Sequence, residues 1–290
     1  MAMSCPAGGE QQLRADSEDE LTRQSHRVAF YADIFYNSEL SPPYWIPPGN
    51  LDVEAIILGG DIHYSPYHLG DMLTSIRRTQ HDGTQIIVVP GNGEYVNQEL
   101  SESRRQYRAV VAAVPGAVFL DDDVVELPAG LRIIGSTLWS HVSDDQISSY
   151  SRMLADRGLL GVDNIRLGSG FLTWADANEL HFRARSFIAE QLRKLSQAER
   201  NSTIVCTHFW PTLRPWIHAD GQPNLEWYQM VGSDLDELIA ECGPRFWLCG
   251  HAHTTHQVTI GTTQISSNPR AGDGPGNLNP DFIETYMVEL

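Results

Sequence analysis

Six side chains that can bind a metal ion or a phosphate group each follow a short apolar run in this sequence. They are Asp33, Asp61, Asn92, His208, His251 and His253. Carboxylate, carboxamide and imidazole groups together form a mixed oxygen and nitrogen ligand set, which suits Mn, Fe, Zn or Co better than Ca. Two such cations ~4 Å apart can turn a bridging water into hydroxide and clamp a phosphoryl group. The residue types therefore predict phosphoester hydrolysis.

The apolar runs before these residues predict the strands that position them. Each run is short and rich in β-branched residues, which is typical of strands covered on both faces. Such runs alternate with longer amphipathic segments, and this alternation indicates an α/β protein. Because ligands collect at the carboxyl ends of strands in α/β sheets, the six side chains are expected to share one pocket. The five runs before these residues cover 28–32, 55–58, 86–89, 203–206 and 246–249, and a sixth run of the same kind covers 131–134.

Three further elements can be predicted. Apolar positions recur at helical intervals between Thr173 and Leu195, and Thr173 with Asp176 is typical of a helix start. Residues 257–260 and 263–266 flank a Gly-Thr turn and predict a hairpin, and residues 285–288 predict a closing strand.

The charge balance argues against long polyanionic partners. The 290 residues carry 20 Lys and Arg against 37 Asp and Glu, a formal net charge of -17. Nucleic-acid polymers and anionic membranes are repelled by such an average surface. A small phosphorylated molecule remains a suitable substrate, because metal charges concentrated in a pocket outweigh a diffuse negative surface.

Four cysteines occur without the spacing of a metal knuckle or a disulfide framework, which favours a reducing compartment. No apolar stretch approaches the ~18 residues of a membrane span. We therefore expect a cytoplasmic protein with a disordered leader at residues 1–26 and one domain at residues 27–290. The sequence does not indicate an oligomeric state.

The ordered set of motifs resembles the calcineurin-like metallophosphoesterase family. That family's pattern runs Asp-x-His, Gly-Asp, Gly-Asn-His-Glu/Asp, His and Gly-His-x-His. The matching segments here are residues 33–35, 60–61, 91–94, 208 and 250–253. The resemblance implies a four-layer α-β-β-α sandwich of two mixed sheets. It also implies a hydrolase whose metal-activated hydroxide attacks a small phosphorylated metabolite or a nucleotide-type substrate.

Phe35 and Gly93 depart from the family pattern, since each stands where the family carries a histidine. By resemblance, one divalent metal keeps its complete ligand set, Asp61, Asn92, His208 and His251. The other retains Asp33, the bridging Asp61 and His253, but lacks an imidazole at Phe35. The resemblance therefore predicts one tight and one weak site.

The family histidine at position 93 contacts phosphate and assists the leaving group. Its absence removes a contribution of roughly 10²–10⁴-fold, which favours substrates with weakly basic leaving groups, such as phosphoanhydrides and activated diesters. His63 is the nearest imidazole after Asp61, and His68 follows it. Both are candidate catalytic replacements, alongside Asp61 and Asn92, although both are also compatible with ordinary loop positions.

Candidate substrate contacts are Asn92, Trp210 and Arg270. Two other functions stay open at this point. A noncatalytic scaffold could keep the fold while its site decays, and a non-hydrolytic iron-dependent enzyme could use a single ion with open positions.

Overall fold

A computed structural model of the chain describes residues 25–34, 45–128, 130–157, 162–218, 220–223, 226, 228–271 and 278–290. The leader predicted for residues 1–26 lies outside these ranges except for Ser25 and His26, and Phe35 also lies outside them. The His26 backbone N–H donates to the Leu290 carbonyl at 3.2 Å. Its imidazole Nδ1 lies 2.8 Å from Glu54 Oε1.

The strands follow the predicted apolar runs and add several short ones. They are β1 (Arg27–Tyr31), β2 (Ala55–Gly59), β3 (Gln85–Val89), β4 (Ala117–Phe119), β5 (Asp123–Glu126), β6 (Arg132–Ser136), β7 (Arg166–Leu167), β8 (Gly170–Phe171), β9 (Thr203–Thr207), β10 (Phe246–Cys249), β11 (Gln257–Ile260), β12 (Thr263–Ser267) and β13 (Met287–Glu289). The predicted hairpin is the antiparallel pair β11 and β12, and the predicted closing strand is β13.

Two mixed sheets result. One has the order β13-β1-β2-β3-β4, with β1 to β4 parallel and β13 antiparallel to β1. The other has the order β11-β12-β10-β9-β6-β5, with the four inner strands parallel and both edge strands antiparallel. β7 and β8 form a separate small ribbon.

Helices cover the outer faces of both sheets. They are α1 (Pro66–Thr79), α2 (Leu100–Ala112), α3 (Asp144–Arg157), α4 (Trp174–Arg193), α5 (Gln197–Asn201), α6 (Tyr228–Val231) and α7 (Asp236–Cys242). The predicted helix start is confirmed, since Thr173 and Asp176 form a capping box at the beginning of α4. Within the described ranges, none of these helices is long and apolar enough to span a membrane.

The strand side chains alternate between two cores, as a period of two requires. Phe30 and Ile57 of the first sheet share one buried cluster with Ile204 and Leu248 of the second. The other face of the first sheet packs on α1 and α2, and that of the second on α4 and α7. The architecture is therefore helix, sheet, sheet, helix, and the predicted four-layer sandwich is confirmed.

Candidate metal centre

The six candidate ligands lie just beyond the carboxyl ends of five strands. Asp33, Asp61 and Asn92 follow the neighbouring parallel strands β1, β2 and β3 of the first sheet. His208 follows β9, and the pair at 251 and 253 follows β10, its parallel neighbour in the second sheet. Facing sheets thus contribute oxygen ligands from one side and imidazoles from the other.

Four of these residues have a left-handed backbone. The φ angle is 50° at Asp33, 53° at Asp61, 64° at His251 and 55° at His253. A residue with a Cβ adopts this region at a cost in energy, and such conformations cluster at functional sites. The strand ends therefore hold these side chains in orientations that an unconstrained loop would avoid.

A possible metal site lies where Asp33, Asp61 and His208 meet. Each offers one ligand atom, and these atoms all lie within 4.8 Å of one another. All three residues are buried. His208 Nε2 is 3.4 Å from Asp61 Oδ1. Buried carboxylates of like charge repel one another unless a cation or hydrogen bonds compensate them.

Backbone carbonyls fix the tautomers of two imidazoles in this centre. His208 Nδ1–H donates to the Gly59 carbonyl at 3.1 Å, and His251 Nε2–H donates to the Met230 carbonyl at 3.2 Å. The other ring nitrogens, His208 Nε2 and His251 Nδ1, then carry no hydrogen. They lie 3.2 Å apart with their lone pairs facing each other. Burial and the His208 ring lower the pKa of His251 well below its ordinary value. This is the arrangement in which a second hydrogen bond orients an imidazole metal ligand.

A cation fits between these donors. Nitrogen ligands lie ~2.1 Å from an ion such as Zn, and two such ligands on one ion are roughly 3 Å apart. Asn92 Oδ1 is buried and has no hydrogen-bond partner among the described residues. A buried polar atom without a partner costs free energy, so a cation bound to this amide oxygen is favourable. The donor set therefore fits a metal ion.

Asp33 and His253 lie side by side. His253 Nε2 is 3.5 Å from Asp33 Oδ1, and the His251 backbone N–H donates to Asp33 Oδ2 at 2.9 Å. Burial raises the pKa of Asp33, but the hydrogen bond to His253 and the nearby His208 ring lower it overall. The Asp33 carboxylate is thus held in the charged form that a metal ligand needs.

Glu94 joins the loops that carry Asp61 and Asn92. Its buried carboxylate accepts the backbone N–H groups of Asp61 at 3.0 Å, Ile62 at 2.7 Å and Gly91 at 2.7 Å. Burial and the charge of Asp61 raise the pKa of Glu94 to about 7. Burial and the charge of Asp33 raise that of Asp61, with the His208 ring opposing them.

His63 and His68 lie next to each other, with ring centroids 5.2 Å apart. His63 is buried, and its Nδ1 accepts the Ser65 backbone N–H at 3.1 Å. Burial, together with His68, lowers the pKa of His63 to about 4. His68 is half-buried in the first turn of α1. Neither belongs to the cluster of potential ligands around Asp33, Asp61 and His208, so their catalytic role stays a prediction.

The two other predicted substrate contacts lie in different environments. Arg270 is half-buried, with its guanidinium 5.6 Å from the Trp45 ring and its Nη1 donating to the Ile34 carbonyl at 3.2 Å, one residue beyond Asp33. Trp210 is fully buried under Trp216. This packing leaves no accessible surface on the Trp210 ring, and a contact between Trp210 and substrate stays a prediction.

Tyr64 fills the space beside Gly93, where the family motif has a histidine. A Cβ at Gly93 would collide with Tyr64 Cε1 and would lie 2.8 Å from Asp61 Oδ1. The backbone N–H of Gly93 uses this close approach to donate to Asp61 Oδ1 at 2.7 Å. The sequence analysis did not predict that Tyr64 lies against Gly93. The available signal was a bulky aromatic residue next to His63 combined with a glycine inside the motif.

Comparisons with known proteins support the fold. No protein-family model matches the sequence. An uncharacterized protein of Acanthamoeba polyphaga mimivirus is 24% identical over 199 residues, which are 63% of this chain and 67% of the viral protein. A dimetal phosphatase from Danio rerio has a TM-score of 0.41 at 13% identity, over 84% of this chain and 86% of its own.

The likeness to phosphopantetheinyl hydrolase (PptH) from Mycobacterium tuberculosis is more extensive. Its crystal structure aligns with a TM-score of 0.61 at 14% identity, over 92% of this chain and 96% of the mycobacterial chain. The two chains therefore share a fold along almost their whole lengths.

Proposed function

We propose that this protein is a metal-dependent phosphohydrolase that cleaves a small phosphorylated metabolite or a nucleotide-type substrate. The observation that carries the proposal is the pair of bare nitrogens, His208 Nε2 and His251 Nδ1, 3.2 Å apart. Neither can donate a proton to the other, because each ring has its N–H on a backbone carbonyl. A cation satisfies both. That a mycobacterial protein of this fold is a phosphopantetheinyl hydrolase adds support.

Two sets of side chains would hold the ions. Asp61, Asn92, His208 and His251 form the tight site for Mn, Fe, Zn or Co. Asp33 and His253, together with Asp61, would form the weak site. When bound, the ions supply the acidity that makes water a nucleophile and the positive charge that a phosphoryl group needs.

The chain's own groups position these ligands and the substrate. The Gly93 N–H holds Asp61 in place. Asn92 presents its amide to the ion and to the phosphoryl oxygens, and the Arg270 guanidinium lies near the Asp33 loop, where it can offset phosphate charge. We keep His63 and His68 as candidate proton carriers.

The missing histidine at position 93 narrows the choice of substrate. Without that histidine, a leaving group must depart as a weak base unless His63 or His68 supplies its proton. We therefore propose that the substrates are phosphoanhydrides or activated diesters rather than simple alkyl monoesters. Equal turnover of an alkyl phosphate and a pyrophosphate-linked compound argues against this preference.

The testing experiment is metal analysis of the purified chain, followed by phosphate or nucleotide release from a small substrate panel with added Mn²⁺. The His208→Ala variant should lose both metal and activity, whereas the exposed His218→Ala variant should keep both. If the purified protein contains no metal and hydrolyses no substrate after Mn²⁺ is added, the noncatalytic scaffold function is supported instead. Iron-dependent oxygen consumption without phosphate release supports the alternative iron enzyme.

A further inference from the structure

An apolar cavity of about 100 Å³ lies directly beside the candidate metal ligands Asn92 and His251, which form part of its lining. Among the described residues, Ser140 is the one other polar side chain in its wall, and no charged side chain contributes. A group bound there is therefore next to the ion that Asn92 and His251 would hold.

Aromatic rings connect this cavity to the metal ligand. The Phe209 ring packs on the His251 ring with centroids 4.0 Å apart and planes at 39°. Trp139 stacks on Phe209 at 6.0 Å and 23°. Both Phe209 and Trp139 line the cavity, as does Trp174 at the start of α4. The stacked rings of Trp139 and Phe209 thus form an aromatic stretch of wall that reaches the candidate ligand His251.

The backbone that presents Trp139 is strained. Leu138 has a φ of 69° and Trp139 a φ of 53°, so two successive residues with bulky side chains occupy the left-handed region. Such backbone strain persists where the surrounding packing holds the residues in place, and it is common at ligand sites. The turn after β6 keeps the indole in the cavity wall at this cost.

The lining determines what the cavity can bind. A charged group would lose its hydration there without gaining a partner, which is unfavourable. An uncharged ring or short alkyl group gains free energy by leaving water and can stack on the aromatic wall. At about 100 Å³ the cavity is smaller than the apolar cavity of about 150 Å³ that holds benzene, so it suits a short alkyl group or one edge of a ring.

We propose that this cavity is the specificity pocket for an uncharged apolar or aromatic group that the substrate carries in ester linkage to its phosphate. The proposal rests on the proposed function, because the phosphate must lie on the metal ions for its substituent to enter the cavity. Among the activated diesters of that proposal, it adds a preference for those that carry a neutral ring or alkyl group over those that carry a charged one.

Binding of non-hydrolysable phosphonates to the Mn²⁺-loaded full-length chain, measured by calorimetry, tests the proposal without relying on turnover. The probes are methylphosphonate, benzylphosphonate and 4-carboxybenzylphosphonate. Benzylphosphonate should bind at least about tenfold more tightly than methylphosphonate, and the carboxylated ring should lose that advantage.

Variants of the wall locate the effect. Leu154, on α3, lines the cavity, whereas Ile147 of the same helix does not. Leu154→Asp should abolish the tenfold advantage and leave the affinity for methylphosphonate unchanged, and Ile147→Asp should keep the advantage. Ala177→Leu, which fills the cavity without adding charge, should also abolish it.

Two results overturn the proposal. If methylphosphonate and benzylphosphonate bind equally, the cavity has no role in recognition, while the phosphate site and the proposed function stand. If Mn²⁺ binds but no phosphonate does, the proposed function fails as well, and with it the pocket's role.

Discussion

The carboxylate of Glu94 accepts the backbone N–H of Asp61 at 3.0 Å, so a buried acid fixes the loop of a neighbouring metal ligand. The same carboxylate accepts the N–H of Gly91 at 2.7 Å, on the loop that presents Asn92. Two strand ends of the first sheet are therefore joined by a single side chain. This geometry assigns Glu94 a positioning role.

Replacement of Glu94 by Gln should destabilise the fold and weaken metal binding. The amide keeps one oxygen and places an NH₂ group against backbone N–H donors, which leaves buried donors unsatisfied at about 1–3 kcal/mol each. Urea unfolding should show a loss of about 3 kcal/mol. The exposed Glu179→Gln variant, which removes a surface ion pair, should change stability by less than about 1 kcal/mol. Equal stability of both variants contradicts this role.

Asn92→Ala should separate metal binding from folding. Because Asn92 Oδ1 has no hydrogen-bond partner among the described residues, its removal should cost the metal-free protein less than about 1 kcal/mol. The stabilisation by added Mn²⁺ should fall sharply, because ligand-linked stability scales with affinity. Thermal unfolding with and without Mn²⁺ measures both. A variant that keeps the full Mn²⁺ shift shows that Asn92 is not a ligand.

Gly93→His should fail to restore a family-like site while Tyr64 is present. The new side chain collides with Tyr64 Cε1 and crowds Asp61, so Mn²⁺ affinity should fall. The same change in a Tyr64→Ala background removes the collision with Tyr64 but leaves the Cβ 2.8 Å from Asp61 Oδ1. It should therefore recover part of the lost metal binding, with higher diesterase activity. Mn²⁺ titration of the four proteins in this cycle measures the coupling. Additive effects of the two substitutions contradict the steric account.

Much of this architecture could be predicted because the strands are buried on both faces. All six predicted apolar runs coincide with strands, because the β-branched residues in them pack into a hydrophobic core on each face of the sheet. The short edge strands β4 and β5 escaped prediction. β5 consists of Asp123, Val124, Val125 and Glu126 and is only partly buried, so it lacks a continuous apolar pattern.

The residue types and their order predicted a set of candidate ligands at the strand ends, but the sequence held no information on the orientation of their side chains. The tautomers of His208 and His251 depend on carbonyls of Gly59 and Met230, which are distant in sequence. Trp210 was one of the candidate substrate contacts. In the structure Trp216 covers it, and its neighbour Phe209 lines the cavity instead.

His181 should make stability depend on pH. Its Nδ1–H donates to the Trp139 carbonyl at 3.1 Å, and burial lowers its pKa to about 4. In the unfolded chain the pKa is about 6.5, so the unfolded state takes up the proton first as pH falls. The contribution is fully present above about pH 6.5 and is lost toward about pH 4.

Between about pH 7 and about pH 4.5, the wild type should therefore lose roughly 2–3 kcal/mol more stability than His181→Gln. Urea unfolding of both proteins at the two pH values measures this difference. Parallel losses in the two proteins show that His181 does not contribute to the pH dependence.

The most direct test of the metal centre is an anomalous difference map from crystals grown with Mn²⁺. We predict a peak at bonding distance from Asp61, Asn92 Oδ1, His208 Nε2 and His251 Nδ1, with a weaker peak near Asp33 and His253. Absence of a peak among these atoms, or a peak bound only by other residues, contradicts the account.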